Sequence, residues 1–202
     1  MNAKKNKKQV VVTRKWLMDF ADKIYNPKTK EFLSLCNGTL QNGPDPENPK
    51  RTMHCGLGEL YFELTGNQPK DDNVNEEGVI YAVVKHSSLM QQITKENIEI
   101  KKQINKFRAP LIKMEKQINK LIPKNFNSEL DLKSALTEFE SNLDFNDNDL
   151  FQDFRIDKLS NVLNEIPDTN DDGSPESFSM TTYKKRSRAV AHVLRRAARL
   201  LP

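Results

Sequence analysis

Residues 90–121 read MQQITKENIEIKKQINKFRAPLIKMEKQINKL. The a positions are Met90, Asn97, Ile104, Leu111 and Ile118, and the d positions are Ile93, Ile100, Phe107, Met114 and Leu121. This unbroken 4-3 alternation lines one face of an α-helix and is the pattern of a helix built to pack on another helix. Asn97 is the single polar member, and a polar residue at an a position fixes register at a cost in stability. Pro110 lies inside the pattern. It lacks an N–H and its ring meets the carbonyl four residues back, so a kink or break is expected near Lys106. The phase extends backward through Val79, Val83 and His86. Glu76 to His86 is therefore read as helix, although Val79-Ile80-Tyr81-Ala82-Val83-Val84 has the composition of a strand. The same stripe serves packing inside one chain's bundle or against another chain.

The rest of the chain agrees with an all-α class. At 202 residues it has room for one fair-sized domain or two small ones. Lys, Glu, Leu, Ile and Asn dominate, and only 7 glycines are present, which favours helices over a sandwich or barrel. Four segments are expected. Residues 1–75 form an N-terminal helical module with a loop at 41–50. Residues 76–123 form the long heptad helix, kinked near Pro110. Residues 124–179 form an acidic helical segment and loop, and residues 180–202 a basic amphipathic helix. Within the module, Thr13 caps a helix from Arg14 to Tyr25 with Trp16, Phe20 and Ile24 on one face and Leu17 alongside. A second short helix is expected from Lys28 to Cys36, and a third over Thr52 to Thr65 with Gly66 as its stop. In the acidic segment, Ser128 to Leu143 turns Leu132, Leu136, Phe139 and Leu143 inward. Asn148 to Ile166 offers Phe151, Phe154, Leu159, Val162 and Leu163, and Pro167 stops it. Thr181 or Thr182 caps the last helix.

Charge is segregated along the chain. Residues 1–15 carry six bases and no acid. Residues 128–176 carry 14 acids against Lys133, Arg155 and Lys158, a net of −11, and residues 177–202 carry seven bases and no acid. Such a chain engages a polyanion with its ends or docks the ends onto an acidic surface. On a helical wheel, Lys184, Lys185, Arg188, His192, Arg195 and Arg199 share one narrow arc, opposite Val190, Leu194, Ala197 and Leu201. A continuous positive stripe can follow phosphates. It has no interleaved aromatic for base stacking, so nucleic-acid binding through it would be independent of sequence. Residues 1–8 hold charge but no apolar run, unlike a secretory signal. No run of 18 apolar residues marks a membrane span. Two cysteines, Cys36 and Cys55, make no disulfide framework, which suits a reduced cytoplasmic setting.

Several constellations approach a chemical site without completing one. Cys36, His54, Cys55 and His86 lack the paired short spacing of zinc ligands. Neighbouring side chains on a helix point about 100° apart, which separates His54 from Cys55 as a nucleophile pair. Glu59 and Glu63 share a helix face, and Glu76 and Glu77 open the next helix. This is similar to the acidic pairs with which helical nucleotide pyrophosphatases hold Mg²⁺, but the second helix lacks the Glu-x-x-Asp pair, and Asp71 and Asp72 lie in a loop. Asp168, Asn170 and Asp172, with Gly173, resemble the start of an EF-hand calcium loop. Ser179 stands where the bidentate Glu belongs, and Pro175 where an aliphatic residue is usual. Arg186 and His192 resemble the Arg-x5-His spacing of HEPN ribonucleases, yet they point to different sides of the wheel. Leu35-Cys36-Asn37-Gly38-Thr39-Leu40, a Pro/Asp loop and then Met53-His54-Cys55-Gly56-Leu57-Gly58-Glu59-Leu60 resemble, over residues 32–66, an uncharacterised phage and bacterial domain family, which implies a helical module and no assigned activity.

These features lead to the expectation of a non-catalytic helical interaction or regulatory protein of phage or mobile-element type, with no cofactor. It associates with a protein partner or a second copy through Ile93, Asn97, Ile100, Ile104, Phe107, Leu111, Met114 and Ile118. It engages an anionic partner, nucleic acid or an acidic protein surface, through the basic helix. Two other classes fit parts of the sequence. One is a Mg²⁺-dependent nucleotide hydrolase using Glu59 and Glu63. The other is an acidic DNA mimic that inhibits a nucleic-acid-binding protein.

Overall fold

The computed structural model of the protein describes residues 10–36, 44–45, 48–69, 74–122, 130–143, 153–168 and 180–202. The helices are α1 (Arg14–Ile24), α2 (Gly56–Thr65), α3 (Glu76–Lys85), α4 (Ser88–Leu121), α5 (Leu132–Asn142), α6 (Phe154–Leu163), α7 (Glu165–Asp168) and α8 (Met180–Ala198). Among the described residues the only β-type pairings are isolated bridges, so the all-α class holds. The chain divides into two compact units: Met1–Met90 with Phe151–Pro202, and Gln91–Leu150.

The first unit is organised on α8. This helix packs most extensively on α1 and also touches α6 and α7, while α2 packs on α3 and α3 on α6. The reason lies in its small residues. Ala191, Ala197 and Ala198 are fully buried, as is Ala21 of α1, so the two backbones approach closely around Leu17, Ile24, Val190 and Leu194. Thr13 caps α1 by accepting from Trp16 N at 3.1 Å. Arg14 then donates from Nε to Leu201 O at 3.0 Å and from Nη2 to Arg199 O at 3.3 Å. A guanidinium at that place satisfies carbonyls beyond the α8 C-terminus and opposes its dipole. Trp16 is half-buried and stacks on Phe20 at 5.7 Å, whereas Leu17 is completely enclosed.

Local chemistry overrides several sequence expectations. No helix forms over Lys28 to Cys36. Asn26 Oδ1 accepts from Lys28 N and Thr29 N, Lys30 takes φ 65°, and Tyr25 pairs with Phe32, which together close a tight turn instead. The heptad phase does not run back unbroken through Val79. α3 ends at Lys85, and Val12 N donates to His86 O while Ser88 N donates to Val12 O, pulling the chain out of helix between α3 and α4. Ser87 is buried there and restarts the helix by accepting from Met90 N at 3.1 Å. α2 starts at Gly56 rather than Thr52, capped by Cys55, and ends as expected at Gly66 with φ 68°. Thr181 and Thr182 lie inside α8, not before it, and Pro167 lies inside α7. Phe154 is exposed, and Ile156 takes its inward place on α6. Phe151, residues 41–43 and 46–47 of the first loop, and all of 169–179 lie outside the described residues.

The second unit pairs the part of α4 from Gln91 onward with α5. Helical turns continue through Pro110, which is exposed and leaves the Lys106 carbonyl without its usual backbone donor. Asn97 Nδ2 donates to Leu143 O at 3.0 Å, just past the end of α5. Asn119 holds the other end twice, donating to Leu130 O at 2.7 Å and accepting from Leu130 N at 3.0 Å. Arg108 and Glu140 form an ion pair between them. The order of these contacts makes the two helices antiparallel.

A close contact in the first unit gives a direct test of its packing. A Cβ at Gly56 would stand 2.7 Å from Ile166 Cγ2 and 3.0 Å from both methyls of Val190. Helix propensity favours Gly56→Ala by up to about 1 kcal/mol. The overlap with two buried side chains reverses the sign, and a net loss of about 1–2 kcal/mol is expected in urea unfolding.

Candidate functional site

α5 covers only one side of α4. Half-buried Asn97, Ile104 and Leu111 of the a column and Lys101, Arg108 and Glu115 of the e column lie on one side, with Ile112 and Asn119 of the b column next to them, and Glu96 is half-buried as well. The d column faces away. Ile100, Phe107, Met114 and Leu121 are exposed, with Phe107 at 51%, Met114 at 54% and Leu121 at 83%, and Ile118 is open beside them. Of the nine exposed large apolar residues among those described, eight lie within 91–150, which locates the apolar surface in this unit. Phe139 of α5 and Leu130 just before it add to this surface, and no residue of α5 is fully buried. Ile100, Ile104, Phe107, Leu111 and Leu136 line a groove of about 630 Å³ along the helix pair.

The association residues expected from the sequence therefore separate into three kinds. Ile93 is fully buried. Asn97, Ile104 and Leu111 face α5, and Asn97 acts as an intrachain clamp. Ile100, Phe107, Met114 and Ile118 remain open. Asn119, Arg108 and Glu140 carried no signal in the heptad pattern. Asn119 is a b position, and its role depends on where the return helix begins.

The basic face of α8 is presented as the wheel requires, with one exception. Lys184, Lys185, Arg188, His192 and Arg199 are exposed, and the opposite face is the core of the first unit. Lys184 Nζ lies 6.0 Å from the centre of the Phe32 ring, a weak cation–π distance. Arg195 turns inward to Asp22 Oδ1 at 2.6 Å and Tyr25 O at 2.7 Å, so it ties α8 to α1. Arg186 is buried and His192 exposed, which keeps the two from forming an acid–base pair.

A third cluster lies in the first unit and is internal. His54 Nδ1 is 2.8 Å from Glu59 Oε2, and its Nε2 is 2.6 Å from Gln68 Oε1. Arg51 donates from Nη2 to Glu59 at 2.9 Å and from Nη1 to Asp45 at 2.6 Å and to Ser34 O at 3.2 Å. Both ring nitrogens of the buried His54 therefore face side-chain oxygens. Burial alone would raise the Glu59 carboxyl, but the hydrogen bond from His54 and the charge of Arg51 outweigh it and hold it below its ordinary value. Glu59 is buried and Glu63 pairs outward with Lys23, so the two carboxylates expected to share a Mg²⁺ serve different cations. Neither Arg51 nor Gln68 stands in a recognisable motif; their roles come from the loop that brings them back over α2.

The cysteine and histidine candidates do not converge. Among the described residues, no group of three or more His, Cys, Asp or Glu is placed to hold a metal. Cys36 and Cys55 are unbridged and buried, and burial pushes the Cys55 thiol up, away from a nucleophile. Cys55 Sγ instead accepts from Gly58 N at the start of α2. Asp168 lies in α7, while Asn170, Asp172 and Ser179 lie outside the described residues. No helix among the described residues is long and apolar enough to cross a membrane. In comparisons of sequence and of fold, no family model, curated protein or solved structure matches the chain.

The internal cluster predicts a stability effect with a defined sign. Glu59→Gln leaves the Arg51 charge short of a buried partner and should lower stability at neutral pH by about 3 kcal/mol. Because the folded carboxyl titrates below its ordinary value near 4.5, its contribution is full above that pH and is lost as pH falls through the lower folded value. Urea unfolding of both proteins should thus show a gap that narrows as the pH drops below 4.5.

Proposed function

We propose that this protein is a non-catalytic helical association protein whose working surface is the outward d column of α4. The observation that carries this reading is the row Ile100, Phe107, Met114, Ile118 and Leu121, left open along a helix of 34 residues. At 1.5 Å per residue such a helix is about 50 Å long, enough for an extended helix–helix contact. Each apolar side chain moved from water into a packed interface contributes about 1.5–3 kcal/mol. An isolated 11-residue α5 is marginal on its own, so covering the row also stabilises the pair.

The basic face of α8 supplies a second contact, to an anionic partner. Its exposed Lys184, Lys185 and Arg188, with Arg199 just past its end, are carried by a helix whose other face is fixed in the core, so they are presented without folding on binding. No aromatic side chain is interleaved with them on that helix, which favours phosphate contacts that do not read sequence.

Both contacts are measurable. Phe107→Glu combined with Met114→Glu should abolish recovery of the protein's partner, a second copy included, from its native host and leave unfolding of the first unit unchanged. Equal recovery by wild type and variant would overturn the reading. For α8, Lys185→Gln, Arg188→Gln and Arg199→Gln together should weaken binding to a DNA duplex of mixed sequence. The slope of log affinity against log salt should fall by about 0.9 for each lost phosphate contact. Unchanged binding and slope would remove α8 from the functional account.

A further inference from the structure

We infer that the occupant of the α4 face is a second copy of this chain, lying antiparallel with Phe107 at the two-fold axis. The inference rests on the association reading above and adds the partner and its direction.

The argument starts from the columns beside d. On the wheel, a and e lie to one side of d, and g and c to the other. α5 occupies the a/e side, so a partner on the d row also meets the g/c flank. That flank changes sign once along its length. Glu96 and Glu99 lie in its first half, and Lys106, Lys113 and Lys120 in its second, with no acid after Gln103 and no base before Lys106. A surface acidic at one end and basic at the other is complementary to itself when reversed.

The spacing agrees with that reversal. Ile100 and Met114 lie equally far from Phe107, so an antiparallel copy centred there sets Ile100 level with Met114 of the second copy and Phe107 level with its own counterpart. Glu99 then stands within two residues of Lys113 of the second copy, and Glu96 within two of Lys120, an offset of about 3 Å. In an antiparallel pair, g/c flank meets g/c flank. A parallel pair would set this flank against the a/e side, which α5 already fills. Within the chain, Glu96 accepts from Gln92, and Glu99 accepts from Gln103 and lies 3.5 Å from Lys102, a surface pair of small energy.

Single cysteines on the d row distinguish the arrangements, because Cys36 and Cys55 are buried and stay out of the reaction. Light scattering of the wild type should give twice 23.3 kDa at high concentration. Under mild oxidation, Phe107→Cys alone should cross-link to itself. Ile100→Cys and Met114→Cys should each cross-link poorly alone and efficiently when mixed. Efficient self-cross-linking of Ile100→Cys would overturn the antiparallel direction. A wild-type monomer at every concentration would overturn the second copy as occupant. If that monomer still recovers a host partner that Phe107→Glu with Met114→Glu loses, the association reading stands without the self-pairing; if it recovers none, both fall.

Discussion

The hydrogen bonds from Asn97 and Asn119 to the ends of the segment that carries α5 decide which side of α4 is covered. Each contributes only about 1 kcal/mol net. Their importance is geometric. Asn97 holds Leu143 O and Asn119 holds both polar groups of the Leu130 backbone, so the return helix can take one register and one face. The a and e columns are thereby used within the chain. The d column, with Phe107 at its centre, is left over. Among the described residues of this unit, α5 leaves that column uncovered. The proposed association rests on that open column.

The first unit obeys a different constraint. α8 is buried along one face because its alanines let α1 approach, and its basic side is what remains outside. Arg195 shows how the two demands meet. It belongs to the basic arc by position, yet it spends its guanidinium on Asp22 and the Tyr25 carbonyl and so fastens the two helices. The half-buried Arg51 with the buried His54 and Glu59 similarly fixes the loop before α2. The Glu59 carboxylate is held by the Arg51 guanidinium and the His54 ring of the same chain, the arrangement of a structural network.

Much of the fold was legible in the sequence because periodicity and caps are local. The heptad run gave α4, Thr13 gave the start of α1, and Gly66 gave the end of α2. The misreadings occurred where a long-range bond competes with a local pattern. The stripe seemed continuous through His86 because nothing nearby shows that Val12 will bond to the backbone at His86 and Ser88. Lys28 to Cys36 looked helical because the Asn26 turn and the Tyr25–Phe32 pairing depend on where the chain goes next. The same limit applies to the site. Heptad spacing marked a and d together, but only the placement of α5 separates the side that is filled from the side that is open. Asn97 had the look of a register residue between chains, and the structure uses it inside one chain.

Amide hydrogen exchange of α4, followed at low and high protein concentration, tests the central claim most directly, since backbone protection at Ile100 to Leu121 reports whether the outward row is covered. Self-association predicts that protection of this stretch rises with concentration while that of α8 stays constant. Exchange in Ile100 to Leu121 that is rapid and identical at both concentrations would contradict the claim that a second copy covers the row.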